Sequence, residues 1–118
     1  MALYIIHFTK EYNMNKIAYN KSYGGFGLSE EACKWLLERG SKFVISYGGK
    51  DYYWADNSPR HDPLLIECIE TLGEKANGPS SNISIQNIDG YLYQIEEYDG
   101  KETIIEAGSE WICVLPTT

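Results

Sequence analysis

Apolar residues recur along this chain with two periods, one near two and one near 3.6, and the switches between them mark the elements. Residues 2–8, ALYIIHF, are apolar on both alternating sets, the pattern of a strand covered on both sides, and residues 16–23, KIAYNKSY, form a weaker strand. In EEACKWLLERG, Ala32, Trp35 and Leu36 fall at helical spacing. Ser29 stands as N-cap, Glu30 and Glu31 favour the positive end of the helix dipole, and Gly40 stops the run. SKFVISYGGKDYYWADNS holds two β-rich runs around Gly48 and Gly49, a hairpin signal.

The clearest helix is SPRHDPLLIECIETLGEKANG. Asp62 is its N-cap, Pro63 occupies the first helical position, and Leu65, Ile66, Ile69 and Leu72 share a face before Gly73 and Gly78. After the PSSN break, ISIQNI, YLYQIEEY and KETIIEA read as strands, with Asp99-Gly100 as a two-residue hairpin turn, and EWICVL (110–115) is a final short strand. This order, dominated by hairpins, predicts an α+β fold: a mostly antiparallel twisted sheet with two helices packed on one face. A split βαβ arrangement is the alternative. At 118 residues the chain is expected to form one domain, residues 1–118.

Composition agrees with a folded chain: 43% of residues are apolar and 14% aromatic, ten of them tyrosine. The formal charge of −7 is unevenly placed. Residues 1–60 carry eight Lys and Arg against six Asp and Glu, and residues 61–118 carry two against eleven. An acidic surface repels phosphate backbones, so duplex nucleic acid is not an expected partner. Cys33, Cys68 and Cys113 are widely spaced and odd in number, which suggests neither a disulfide framework nor a metal site. They read as small core residues in a reducing compartment. The apolar runs are too short for a signal peptide or a membrane span, so an intracellular protein with no membrane partner is expected.

Two stretches carry candidate binding chemistry. Tyr23-Gly24-Gly25-Phe26-Gly27-Leu28-Ser29 leads straight into a capped helix, where backbone N–H groups and the helix dipole can cradle a phosphate or carboxylate. The stretch matches neither GxGxxG after a Rossmann strand nor a P-loop, since no Lys follows the last glycine. The plainer reading is a lead-in shaped by glycines, with Tyr23 and Phe26 packed into the core and Ser29 as cap. The second stretch is Arg60-His61-Asp62 at the start of the next helix. Arg60 can clamp an anion, His61 can donate or titrate, and Asp62 caps. The competing reading is a solvent-facing loop in which Arg60 pairs with one of the many later carboxylates. The binding reading depends on the two stretches sharing one concave pocket.

The remaining clusters carry less. Glu96, Glu97, Asp99, Glu102 and Glu106 fall on one hairpin, but alternation sends Glu96 and Glu97 to opposite faces, so a solvated acidic face is expected, with one carboxylate available to Arg60. Cys33 and Cys68 lie in helices and His7 in an apolar strand, so no nucleophile stands beside a base.

The motifs YGGFGLS, RHDPLLIECIETLGEKANG and YQIEEYDGKE, taken together and in this order, resemble a small family of uncharacterised proteins of bacteriophages, large DNA viruses and some bacteria. The resemblance implies a single-domain protein acting inside an infected cell and supplies no activity, cofactor or catalytic residue. The expectation is therefore a small non-catalytic binding module without a cofactor. It would recognise an anionic small molecule, such as a nucleotide, or a protein partner through Tyr23, Gly24, Gly25, Phe26, Gly27, Ser29, Arg60, His61 and Asp62. Tyr52, Tyr53 or Trp54 would add stacking surface. The alternatives are a structural or protein-interaction domain, including a homodimer, and a small hydrolase using His61.

Overall fold

The computed structural model describes residues 15–48, 51–55 and 58–106. The expected strands at 2–8 and 110–115, together with His7 and Cys113, lie outside the described residues. In chain order the elements are β1 (Asn15–Asn20), α1 (Glu30–Glu38), β2 (Val44–Tyr47), β3 (Asp51–Trp54), α2 (Pro63–Leu72), a 3-10 turn (Gly73–Ala76), β4 (Ile83–Ile88), β5 (Tyr93–Tyr98) and β6 (Lys101–Glu106). This is the α+β class expected, with antiparallel strands and two helices. Among the described residues the strands form three two-stranded ladders, β1 with β4, β2 with β3 and β5 with β6, where the sequence pattern suggested one sheet.

The β1–β4 ladder is the middle layer, and its pleat explains why. Register pairs Ala18 with Ile85 and Asn20 with Ile83, while Ile17 pairs with Gln86 and Asn15 with Ile88. Successive residues face opposite ways, so each strand offers apolar side chains to both sides. On one side Ala18, Ile83 and Ile85 join a core with Ala32, Cys33 and Leu36 of α1 and Leu65, Ile66, Cys68 and Ile69 of α2. On the other, Ile17 and Ile88 pack with Ile104 of β6, flanked by Tyr19, Tyr93 and Ile95. The β5–β6 hairpin therefore covers the face that the helices leave open instead of extending the ladder.

Both helices begin where their caps predict. Ser29 Oγ accepts from Ala32 N at 3.1 Å, and Asp62 Oδ2 accepts from Leu65 N at 3.0 Å with Pro63 next in line. The first helix closes through Gly40 N to Leu37 O at 3.0 Å and Ser41 N to Leu36 O at 3.0 Å, the Schellman pattern.

The Asp99-Gly100 turn is as expected, with positive φ at both residues, 52° and 89°. It also makes a contact that local sequence does not announce. Gly24 N donates to Asp99 O at 3.1 Å, and a Cβ added at Gly100 would run into the backbone nitrogens of Gly24 and Gly25. The glycine stretch and the hairpin turn thus touch backbone to backbone. Gly100→Ala combines a disfavoured φ with that clash and should lower the unfolding free energy by about 2–3 kcal/mol, read as a shift in the urea midpoint.

Candidate functional site

Arg60 precedes α2, and its guanidinium reaches Glu102 on β6 through two bonds, Nη1 to Oε1 at 2.6 Å and Nη2 to Oε2 at 2.9 Å. The pair is sheltered: 18% of the arginine side chain and 8% of the glutamate side chain is exposed. The guanidinium carbon also lies 3.7 Å from the centre of the Phe26 ring, a stacked cation–π contact. Glu102 Oε1 accepts in addition from Asn20 N at 2.9 Å. The backbone of Arg60 serves as well, since Ala18 N donates to Arg60 O at 2.9 Å.

Asn20, fully buried, continues this network. Its Nδ2 donates to Ser22 O at 2.6 Å and Gly100 O at 2.8 Å, and its Oδ1 accepts from Asn82 N at 2.8 Å. Every polar atom of the amide is used, as a buried amide requires. Nothing in the sequence singles out Asn20, whose place at a strand end carries no distinguishing pattern. Glu102 was legible in principle. It stands two residues before Ile104 on one strand, so it shares the inward face with that isoleucine, and register sets it opposite Glu97. The acidic face is solvated at Glu96 but not at Glu102.

The expected site residues divide among several tasks. Phe26 and Arg60 line one cleft of about 650 Å³ with Trp54, Tyr93, Glu97 and Glu102. Gly24, Gly25, Phe26 and Gly27 line a second cleft of about 650 Å³, whose other wall is Asp51, Tyr52, Tyr53 and Trp54 of β3. Phe26, Trp54 and Ala55 belong to both, so a wall of two aromatic rings separates adjoining clefts. Segments 23–29 and 60–62 therefore do meet, at the Phe26–Arg60 contact. His61 turns elsewhere: its Nδ1 lies 2.6 Å from Tyr93 Oη, beside a small pocket of about 220 Å³ shared with Asn15, Lys16 and Ile88. Burial holds the Tyr93 phenol above its usual range, so its hydroxyl stays protonated and can donate to a neutral imidazole. Asp62 and Ser29 are occupied as caps, and Ser29 Oγ also donates to Lys75 O at 2.5 Å.

Two expectations need correction. Arg60 and His61 do not converge as one anion site, because the guanidinium pairs with Glu102, the competing expectation, and His61 Nδ1 lies against Tyr93 Oη, while Asp62 caps α2 as expected. Tyr23 is not a core anchor: it is 58% exposed, with Lys101 Nζ 5.5 Å from its ring centre. Phe26 alone of the two aromatics packs against the core. Gly27 takes the plain structural role, its carbonyl accepting from Gly78 N at 3.0 Å and Ser81 Oγ at 2.6 Å.

Trp54 stands out on the shared wall. Its ring packs 5.5 Å from Phe43, and its indole N–H is buried with no hydrogen-bond partner among the described residues. A buried donor without an acceptor is a cost that native structures seldom carry. Among the described residues, no group of three His, Cys, Asp or Glu is placed to hold a metal, and no helix is long and apolar enough to cross a membrane. Cys33 and Cys68 are core residues, as expected; burial pushes their thiols up to about 11 and about 12, with Glu30 adding to the first and Cys33 to the second. No family model, curated protein or solved structure matches this chain.

Breaking the buried pair from one side leaves the other charge unmatched. Arg60→Ala should lower the unfolding free energy by about 3–5 kcal/mol in urea titrations. Pairing Arg60→Met with Glu102→Met should recover part of that loss, the Asn20 N–H then lacking its acceptor. In a Cys113→Ser background, Cys33 and Cys68 should resist a disulfide reagent at pH 8 until denaturant is added. The thiols' folded values lie above their ordinary 9.0, so their contribution to stability is complete below pH 9 and is lost as pH rises toward 11 and 12.

Proposed function

We propose that this protein is a non-catalytic binding module whose recognition surface is the pair of clefts flanking the Phe26–Trp54 wall. The observation that carries this reading is the meeting of the glycine stretch and the α2 start at Phe26 and Arg60. Two segments distant in sequence converge on a concave, aromatic-walled surface, and the glycine-lined cleft adds Tyr52 and Tyr53 beside Trp54. Binding is favoured over catalysis because the described cysteines are buried and held protonated, and because His61 lines neither cleft, its Nδ1 being engaged with Tyr93 beside the small pocket.

Of the two ligand classes expected from sequence, the lining charges favour a protein partner over an anion. Arg60 already carries Glu102, and Glu30 and Asp51 line the glycine cleft while no Lys, Arg or His does so among the described residues. A nucleotide placed there would meet like charge.

A library of uncharged planar fragments, screened by two-dimensional NMR on the full chain, tests the reading. Hits should move the Trp54 indole signal together with the Gly24 and Gly25 amides. Tyr53→Ala should weaken them about fivefold, in line with about 1 kcal/mol for an aromatic contact. Hits that map elsewhere, or a library with none, would remove the basis for a binding surface here. A nucleotide that binds more tightly than every neutral fragment would restore the anion class.

A further inference from the structure

The glycine-lined cleft is specific enough in shape and charge to define its occupant, an assignment that rests on the binding-module reading. β3 contributes side chains from both faces of its pleat, Asp51 and Tyr53 from one and Tyr52 and Trp54 from the other. Ile45 of β2, the register partner of Tyr53, lines it as well, so the cleft reaches across one face of the β2–β3 hairpin as well as around β3. Ala55 N bonds to Phe43 O at 2.8 Å, so alternation turns the backbone groups of Trp54 away from β2. The opposite wall is backbone-rich, formed by Gly24, Gly25 and Gly27, where no Cβ narrows the approach.

The charge is one-sided. Glu30 and Asp51 are both exposed at the lining, and Lys34, which pairs with Glu30 at 3.1 Å, is itself exposed and stands outside it. Trp54, more than nine-tenths buried, lies in the wall beside them. A groove that offers exposed carboxylates and aromatic faces opposite a glycine-backed wall is complementary to a chain bringing cationic side chains.

We propose that this cleft binds a basic peptide segment of a partner protein. An arginine or lysine side chain lies among the tyrosines and meets Glu30 and Asp51.

Three blocked pentapeptides alike except in charge, GRARG, GQAQG and GEAEG, are titrated into the full chain and followed by two-dimensional NMR. The arginine peptide should bind about tenfold tighter than the glutamine peptide, the order expected of two charge pairs at a partly solvated site. It should move the Trp54 indole and the Gly24 and Gly25 amides, and the glutamate peptide should bind weakest. Glu30→Gln with Asp51→Asn should bring the arginine peptide to about the affinity of the glutamine peptide. Glu96→Gln, on the outer face of the β5–β6 hairpin, should change nothing, which separates the cleft from the protein's general negative charge. Equal binding of the three peptides, tightest binding by the glutamate peptide, or equal loss in Glu96→Gln overturns the charge assignment and leaves the binding module standing. If no peptide moves a cleft signal while planar fragments still do, the peptide occupant alone is wrong. If neither does, the binding-module reading fails with it.

Discussion

The N–H groups of Ala18 and Asn20 point away from β4, along the edge of the middle ladder where no strand receives them. Buried donors of this kind must find acceptors, and both are met by the same cluster: Arg60 O takes the first and Glu102 Oε1 the second. The guanidinium of Arg60 then closes on that same carboxylate. One ion pair therefore finishes the edge of β1, fixes the loop before α2 and anchors β6, three segments with no reason to meet on local grounds. A sheltered pair of this sort is weak as a source of net stability, since desolvating two charges offsets much of their attraction, but it is demanding about geometry. Its chief effect here is positional.

That position passes outward to the surface. Because Phe26 lies under the guanidinium, the glycine stretch is held against the hairpin turn on one side and the Gly78–Ser81 turn on the other. The Phe26–Trp54 wall and its two clefts follow from where Arg60 is held. The charge that made Arg60 look like an anion clamp is consumed in pairing with Glu102, and the charged side chains that line the glycine cleft, Glu30 and Asp51, are both acidic.

Elements whose causes are local could be read from the amino-acid order alone. Caps at Ser29 and Asp62, the proline after the second, and the Asp99-Gly100 turn each act within a few residues, so helix starts and hairpin register were readable without tertiary information. The two-sided pattern expected of a covered strand was read at residues 2–8, outside the described residues, while it is β1 and β4 that the structure covers on both faces. Long-range packing settles which carboxylate Arg60 pairs with, that Asn20 is buried and fully bonded, and that His61 meets Tyr93 instead of its neighbour. Among the described residues it also placed the β5–β6 hairpin over the open face of β1–β4 through its inward isoleucines, where one sheet was expected. These outcomes depend on contacts between segments far apart in the chain, and no local period or cap encodes which distant partner satisfies a buried charge.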